Sequence, residues 1–297
     1  MRAIVVREGG GPEVLKVEEM PDPEPGEGQV LVRIEAAAVN HFDLAQRSDP
    51  AAVGASPPFT PGVDAAGTRV DTGERVLVTG ALGTYAELLA APLENVWSIP
   101  DSLDAARAAA LGVAYKTAWA SLTDGDVQRG DTLLVQAGSS GTGQAAIDIG
   151  RHLGATIYAT ASPSKHDRLR ALGAKPLSYD DPKIGQLNAA VVFDPVGGSA
   201  FERSLAALAP GGRLVSPGAL ESPIVSLNLW PVIGKRARII GTGAVSVTGD
   251  EFKRLIELAG EGELTPVIDR ELPLAEAAEA HRLIEAREVF GKIVLRP

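Results

Sequence analysis

The sequence predicts a mixed α/β protein in which a β-rich domain accompanies a doubly wound, parallel-sheet domain. Short candidate strands separated by Gly- and Pro-rich turns fill residues 1–100, and this pattern favours a compact barrel or sandwich. From residue 132 onward, apolar strands alternate with helical segments. Such alternation is typical of a parallel sheet covered by helices on both faces.

The β-rich part is read from its turns and its apolar segments. Turn-forming sequences at 9–12 and 21–26 separate the early strands. Ser102 is a suitable N-cap for a helix over 104–111, and a second helical stretch covers 113–122. The predicted strands of this part are 3–7, 30–36, 75–79, 85–90 and 96–99.

In the parallel-sheet part, Ala145, Ala146, Ile149 and Leu153 recur with helical spacing between the first two strands. The predicted strands are 132–136, 156–161, 189–193, 213–216 and 238–240. After Gly243 the pattern changes to a helix at 251–259, a strand at 267–272, a helix at 274–286 and a strand at 292–296. We therefore predict a discontinuous domain made of 1–112 and 244–297, and a second domain made of 113–243.

Composition excludes several classes of function. The net charge of −10 argues against nucleic acid or an anionic membrane as the partner. The 297 residues include no cysteine, which rules out disulfides, thiolate nucleophiles and cysteine-ligated metals. Residues 1–8 predict a strand rather than a signal peptide, and no apolar run reaches the ~20 residues that cross a bilayer. We therefore expect a cytoplasmic protein.

A glycine-rich segment between a predicted strand and a predicted helix carries the chemistry. Gly138 is expected to permit the tight turn and Gly143 to let the helix pack close to the strand, although Ser140 replaces the second glycine of the pattern. The following helix N-terminus offers N–H groups and partial positive charge to a pyrophosphate. The alternative is a turn that binds no nucleotide. The predicted Rossmann-type dinucleotide site comprises Gly138, Ser139, Ser140, Gly141, Thr142 and Gly143.

The second strand of this domain bears on the choice of cofactor. An NAD site usually places Asp or Glu there to hold the ribose 2′-hydroxyl. This strand is followed instead by Ser162 and Lys165, with Arg168 one turn later. A cation attracts a 2′-phosphate that a carboxylate would repel. We therefore predict NADPH/NADP rather than NAD, the alternative being that Lys165 and Arg168 are simply solvated.

Two further segments fall where open α/β sheets bind their ligands, at the carboxyl ends of strands. Asp194 and Val196 follow the strand at 189–193, and Gly218 follows the strand at 213–216. Asp194 is equally well explained as a helix cap.

Motifs along nearly the whole chain carry a family resemblance. They are Val-Asn-His-Phe-Asp at 39–43, Pro-Gly-Val-Asp-Ala-Ala-Gly at 61–67, the glycine loop, Asp-Pro-Val-Gly-Gly at 194–198, Gly-Gly-Arg-Leu-Val at 211–215 and Gly-Lys-Ile-Val-Leu at 291–295. In this order they resemble the zinc-free quinone oxidoreductase (zeta-crystallin-like) branch of the medium-chain dehydrogenase/reductase superfamily. The resemblance implies a GroES-like catalytic domain and a Rossmann cofactor domain.

The resemblance also shows what is missing. Zinc-dependent members of the superfamily ligate a catalytic metal at positions where this chain has Asn40 and Val63. An amide and an isopropyl group do not supply that ligand set, so no metal site is expected. His41 lacks partner ligands, and a structural or substrate-lining role is expected for it.

By resemblance, Asn40 and Asp43 line the substrate pocket, and Asn40 orients the acceptor oxygen by a hydrogen bond. Thr117 would contact the nicotinamide, Tyr179 would lie near the adenosine phosphate, and Lys292 would lie near the cofactor cleft. The family often has a tyrosine where this chain has Ala45, and about a dozen more residues between Gly67 and Glu74. A trimmed hairpin is expected there.

The expected activity is NADPH-dependent reduction of a quinone or an α,β-unsaturated carbonyl by hydride transfer. The alternatives are a non-catalytic NADPH-binding sensor or structural protein, which Ala45 and the short loop favour, and NADP-dependent alcohol oxidation. A homodimer is expected by resemblance, through the edge strand at 236–243, the alternative being an ordinary sixth strand in a monomer.

Overall fold

The structure is a computed structural model that describes residues 1–297. The chain divides into two compact units. Unit 1 comprises Met1–Val113 and Lys253–Pro297, and unit 2 comprises Ala114–Phe252. The sequence placed these boundaries after residues 112 and 243. The second differs by nine residues, because the helix Gly249–Gly260 continues through it.

Unit 1 is built on a seven-stranded sheet of order β14-β15-β3-β4-β5-β7, with β6 paired to β3. All its neighbouring strands are antiparallel except β14 and β15. A separate antiparallel pair is formed by β1 and β2. The strands are β1 (Arg2–Val5), β2 (Lys16–Glu19), β3 (Gln29–Ala38), β4 (Asp64–Arg69), β5 (Arg75–Thr79), β6 (Leu88–Pro92), β7 (Val96–Ser98), β14 (Ile268–Pro273) and β15 (Lys292–Arg296).

Two short helices of unit 1 lie next to the polar residues of interest. Helix α1 (His41–Ser48) begins directly after β3, and α8 (Ala277–Glu285) precedes β15. Apolar side chains of β1, β3, β5, α8 and β15 form one core cluster. The turn between β4 and β5 is the short hairpin expected there, closed by the Arg69 N–H bond to the Glu74 carbonyl at 2.9 Å.

Unit 2 contains a six-stranded, entirely parallel sheet of order β10-β9-β8-β11-β12-β13. Leu133, Val135, Val191 and Leu214 are fully buried, as expected for strands covered on both faces. The doubly wound prediction is therefore confirmed. The strands are β8 (Thr132–Val135), β9 (Thr156–Thr160), β10 (Lys175–Leu177), β11 (Ala189–Phe193), β12 (Leu208–Ser216) and β13 (Arg238–Gly241).

The helices of unit 2 follow the strands in the order expected of βα units. They are α3 (Gly141–His152), α4 (His166–Ala171), α5 (Ala200–Ala207) and α6 (Leu229–Lys235). Helix α7 (Gly249–Gly260) follows β13. No helix of the chain combines the length and the apolar character that a membrane span requires.

Helix α2 (Ala105–Asp124) is broken at Gly112, whose backbone has φ −37° and ψ −115°. The break falls between the two helical segments that the sequence predicts. A Cβ atom at Gly112 would lie 2.1 Å from the Asp64 carboxylate. Glycine is required because the buried carboxylate occupies that space.

Several elements were missed by the sequence analysis. Strand β2 contains Lys16, Glu18 and Glu19, so it carries little apolar signal, and β10 has only three residues, one of them proline. Helix α1 buries Asp43, Gln46 and Arg47 instead of an apolar stripe. Periodicity of apolar residues does not detect a helix whose buried face is polar.

Candidate active site

The glycine-rich loop of unit 2 links β8 to α3 and is held by β9. The Thr160 carbonyl accepts a hydrogen bond from the Gly138 N–H at 2.8 Å. The Thr160 hydroxyl accepts one from the Ala137 N–H at 3.1 Å and donates to Gln136 Oε1 at 2.7 Å. The start of the loop is therefore fixed by a single buried threonine.

The tight turn lies at Ala137, which corrects the expectation that Gly138 makes it. Ala137 has φ 52°, in the left-handed region, whereas Gly138 has no positive φ. A Cβ atom at Gly138 would lie 2.8 Å from the Cβ of Ala159. Gly138 is thus required by the close approach of β9, and the two hydrogen bonds to Thr160 hold Ala137 in its strained conformation.

The other end of the loop forms the N-terminus of α3. Ser140 is the N-cap, and its hydroxyl accepts a hydrogen bond from the Gly143 N–H at 3.0 Å. A Cβ atom at Gly143 would lie 2.2 Å from the Ala137 carbonyl oxygen. The N–H groups of Gly141 and Thr142 have no acceptor within the chain. Free N–H groups at a helix N-terminus fit the pyrophosphate of a dinucleotide.

A cation lies beside this loop. Lys165, just before α4, places its Nζ 3.4 Å from the Ser139 hydroxyl oxygen. Ser162 begins the same turn, with its hydroxyl oxygen 3.3 Å from that of Ser164. The segment from the end of β9 to Lys165 contains no carboxylate. The Lys165 ammonium therefore lies beside the glycine-rich loop.

Asp194 behaves as a turn cap. Its Oδ1 accepts hydrogen bonds from the N–H groups of Val196 and Gly197 at 2.9 and 3.1 Å. Its Oδ2 accepts one from the Ser204 hydroxyl at 2.8 Å, and the residue is fully buried. The N-cap of α5 is Ser199, so Asp194 is not the helix cap that the sequence offered as one interpretation. Its contacts hold the turn that follows β11, and Val196 is positioned by them.

A cavity of about 690 Å³ opens at the carboxyl ends of β12 and β13. Gly218 lines it together with Ser216, Thr242 and Gly243. The remaining predicted cofactor residues of unit 2 lie elsewhere. Thr117 lies in α2, with its carbonyl bonded to the Ser121 hydroxyl at 2.7 Å, and Tyr179 is exposed in the turn after β10.

In unit 1, the predicted residues Asn40 and Lys292 are brought together. The Lys292 Nζ donates hydrogen bonds to Asn40 Oδ1 and to the Val39 carbonyl, both at 2.6 Å. The Asn40 Nδ2 donates to Asp64 Oδ2 at 2.9 Å and to the Ala38 carbonyl at 3.2 Å. Both amide hydrogens of Asn40 are therefore occupied. The expected hydrogen bond from Asn40 to an acceptor oxygen requires one of these bonds to break.

Asp64 is the anion of this cluster and is fully buried. It accepts hydrogen bonds from the Thr79 hydroxyl at 2.7 Å and from the Val113 N–H at 2.9 Å, in addition to that of Asn40. Burial raises the pKa of Asp64, and the Lys292 charge and these hydrogen bonds oppose that effect. Asp64 thus links the Asn40 amide to the first N–H after the break in α2.

Asp43 lies on the inner side of α1 and is fully buried. Its Oδ2 accepts hydrogen bonds from the Asn40 N–H at 2.8 Å and the Tyr85 hydroxyl at 2.9 Å, while its Oδ1 has no partner. Burial is the main cause that raises the pKa of Asp43 to about 7. The Tyr85 hydroxyl also lies 3.2 Å from the Nε2 of buried His281. Asp43 therefore caps α1 and anchors a buried polar chain.

Sequence reasoning did not identify Tyr85, His281, Thr79 or Asp64 as site residues. Asp64 has a local signal, because it lies in the Pro-Gly-Val-Asp motif that follows β3 and α1. Tyr85 and His281 are 196 residues apart and have none. Within the chain, no group of three or more His, Cys, Asp or Glu side chains is arranged to hold a metal ion.

Two family models match the chain. One, described as an alcohol dehydrogenase GroES-like domain, covers residues 26–101. The other, described as a zinc-binding dehydrogenase, covers residues 172–295. Human quinone oxidoreductase is 30% identical, with the alignment covering 99% of this chain and 97% of the human protein.

This chain belongs to the quinone oxidoreductase branch of the medium-chain dehydrogenase/reductase superfamily. As a family member it is an oxidoreductase with a Rossmann-type nicotinamide cofactor site and a small-molecule substrate. The β-rich unit is the GroES-like domain of the family, as predicted.

Two solved structures that are similar to this chain are described with different cofactors. A structure described as an NAD-dependent alcohol dehydrogenase has a TM-score of 0.91 at 33% identity, and a mycobacterial structure complexed with NADPH has a TM-score of 0.90 at 31% identity. Each alignment covers 100% of both chains. Because the described cofactors differ, the choice between NAD and NADP depends on the residues around the loop.

Proposed function

We propose that this medium-chain reductase uses NADPH, without a catalytic zinc, to reduce quinones or α,β-unsaturated carbonyls by hydride transfer. The observation that supports this most strongly is the position of Lys165, 3.4 Å from Ser139 of the glycine loop. A ribose 2′-phosphate at this loop would lie near the Lys165 ammonium, and residues 161–165 contribute no carboxylate that would repel it. The mycobacterial neighbour that is complexed with NADPH shares the fold.

Different residues of unit 2 would bind different parts of the cofactor. When bound, the nicotinamide ring supplies the hydride. The free N–H groups of Gly141 and Thr142 bind the pyrophosphate, and Lys165 with Ser162 binds the 2′-phosphate. Val196, Gly218 and Thr117 would contact the nicotinamide end and Tyr179 the adenosine end, while Asp194 would act by holding its turn.

The residues of unit 1 support a reaction without zinc. Asn40 is held between Asp64 and Lys292, and the side chain of Val63 offers no donor. Without a metal to polarise the carbonyl, conjugated acceptors such as quinones and enals are favoured over simple ketones. Asn40 acts through the fixed orientation of its side-chain amide. Asp43 acts as a positioning residue by capping α1.

The cofactor assignment is tested by comparing dissociation constants for NADPH and NADH in the wild type and Lys165→Ala. We expect the wild type to prefer NADPH, and the substitution to weaken NADPH binding about tenfold or more by removing one charge-assisted contact. NADH binding should be unchanged. Lys175→Ala in the same unit is a matched control. Equal wild-type affinities for both nucleotides would overturn the assignment.

The reaction is tested by following NADPH oxidation with a benzoquinone, a naphthoquinone and an enal, in enzyme stripped of metal by a chelator. We expect turnover that is unchanged by the chelator. NADPH binding without turnover on any acceptor would instead favour the non-catalytic binder. That alternative is supported by Ala45, which offers no donor, and by the occupied amide hydrogens of Asn40.

A further inference from the structure

The Asn40 side chain lies between a cation and an anion, and this fixes which way its amide faces. A lysine ammonium only donates hydrogen bonds and a carboxylate only accepts them. The amide oxygen must therefore face Lys292, at 2.6 Å, and the amide nitrogen must face Asp64, at 2.9 Å. With its second hydrogen on the Ala38 carbonyl, the amide has no donor left.

Lys292, in contrast, has one ammonium N–H group that is not used in a hydrogen bond. Its ammonium carries three N–H groups, and only two have acceptors, the Val39 carbonyl and Asn40 Oδ1. The residue is only 6% exposed. A buried N–H group of an ion without an acceptor is costly, so such a group is a candidate for contact with a ligand.

Two opposing effects act on the charge of Lys292. Burial lowers the pKa of Lys292, and the carboxylates of Asp64 and Asp43 oppose this. Partial burial of its ring, and then the Lys292 charge, lower the pKa of His41 at the start of α1. A lowered pKa keeps the His41 ring neutral at physiological pH, so His41 adds no positive charge beside Lys292.

We propose that the free N–H of Lys292, rather than the Asn40 amide or a cofactor contact, binds and stabilises the carbonyl oxygen of the acceptor. This inference rests on the proposed function. Hydride addition to the conjugated carbon forms a C–H bond, moves the π pair onto the carbonyl oxygen and oxidises the nicotinamide. The resulting oxyanion is bound by the ammonium, which keeps its proton, and is then protonated by solvent.

The arrangement assigns each member of the cluster a distinct role. Lys292 is the group that touches the substrate oxygen. Asn40 and the Val39 carbonyl hold the ammonium by two hydrogen bonds, so that its third N–H has a fixed direction. Asp64 acts through Asn40 as a positioning residue.

A stable phenolate can replace the short-lived oxyanion in an experiment. The probe is 4-nitrophenol, added to wild-type enzyme saturated with NADP, and its ionisation is followed by visible absorption. We expect the wild type to bind the phenolate in preference to the phenol and so to lower the apparent pKa of the bound probe. If the enzyme takes up NADP but binds phenol and phenolate equally, the inference is wrong and the proposed function is untouched.

The variant Lys292→Met removes the ammonium and so tests its role. The matched control is Lys16→Met, at an exposed position of unit 1. We expect Lys292→Met to lose at least about tenfold in phenolate affinity and about 100- to 1000-fold in quinone turnover. NADPH affinity should be unchanged, which separates this role from the cofactor contact implied by resemblance. Phenolate binding and turnover equal to those of the control would overturn the inference.

A second measurement covers the case in which Lys292→Met fails to fold, since it leaves Asp64 without its cation. Crystals of the wild type with NADP and 4-nitrophenol give the position of the phenolate oxygen directly. An oxygen within hydrogen-bond distance of the Lys292 Nζ supports the inference, and an oxygen bound by another group contradicts it. Failure of the wild type to bind either nicotinamide nucleotide would instead remove the proposed function.

Discussion

At the scale of single residues, unit 1 holds two buried ionisable side chains whose effects on stability oppose each other. Burial raises the pKa of Asp43 to about 7. It lowers the pKa of His281 to about 3, so that this ring is neutral at physiological pH. Asp43 stabilises the fold less as pH rises, whereas His281 stabilises it more. The two contributions oppose each other over the same mildly acidic range, so each has to be measured separately.

The Asp43 contribution can be isolated with Asp43→Asn. Between pH 3.8 and about 7, the folded chain keeps a proton on Asp43 that the unfolded chain has released. The unfolding free energy of the wild type, relative to Asp43→Asn, should therefore fall as pH rises through this window, by roughly 4 kcal/mol in total. Urea unfolding at several pH values measures this. The His281 contribution is common to both proteins and cancels in the difference, so parallel curves would contradict the pKa of Asp43.

At the scale of elements, the loop between β8 and α3 depends on close backbone contact. The Gly143 Cα lies so near the Ala137 carbonyl that no side chain can be added without moving backbone. Ala137 is itself in a left-handed conformation. The position of the α3 N-terminus, and with it the direction of the free N–H groups, follows from this contact.

Gly143→Ala should therefore displace α3 from β8. We expect a loss of about 1–3 kcal/mol in the free energy of unfolding, and NADPH binding weakened by about tenfold or more, because the pyrophosphate site is built from the same N–H groups. Gly185→Ala is the matched control, since a Cβ atom there would meet nothing within 4 Å. Thermal unfolding and nucleotide titration give the two readouts. A Gly143→Ala protein that binds NADPH like the control would show that the contact is dispensable.

At the scale of the whole molecule, one edge of the unit 2 sheet is unpaired and apolar. Strand β13 pairs with β12 alone. Helix α6, which contacts the neighbouring strand β12, carries Trp230, 78% exposed, and Ile233, 60% exposed, and Ile239 of β13 is also exposed. A free strand edge in a unit that also exposes large apolar side chains is suited to pairing with another chain. We propose that this edge forms the interface of a homodimer.

The double substitution Trp230→Lys with Ile233→Lys tests this interface. We expect the wild type to sediment with twice the chain mass and the variant with the mass of one chain, because two like charges would be buried against their own copies. Leu93→Lys, at an exposed apolar position of unit 1, is the matched control. A wild type that remains monomeric at micromolar concentration would contradict the proposal.

The sequence determined the features that depend on neighbouring residues. Apolar runs with Gly and Pro punctuation predicted the parallel sheet, and the loop at 138–143 with Lys165 but no carboxylate predicted the cofactor site. Even there, the sequence did not show which residue makes the turn. Ala137 is held at φ 52° by Thr160, 23 residues away, and a local motif does not contain that contact.

Only the tertiary structure decided the chemistry of unit 1. Lys292 reaches Asn40 across 252 residues because β15 pairs with β3, which ends just before Asn40. Tyr85 meets His281 only when β15 and α8 have joined the same core. Local sequence patterns specify elements, since they reflect backbone periodicity. Contacts between side chains distant in sequence are set by strand pairing and packing, and they exist only once the whole unit has folded.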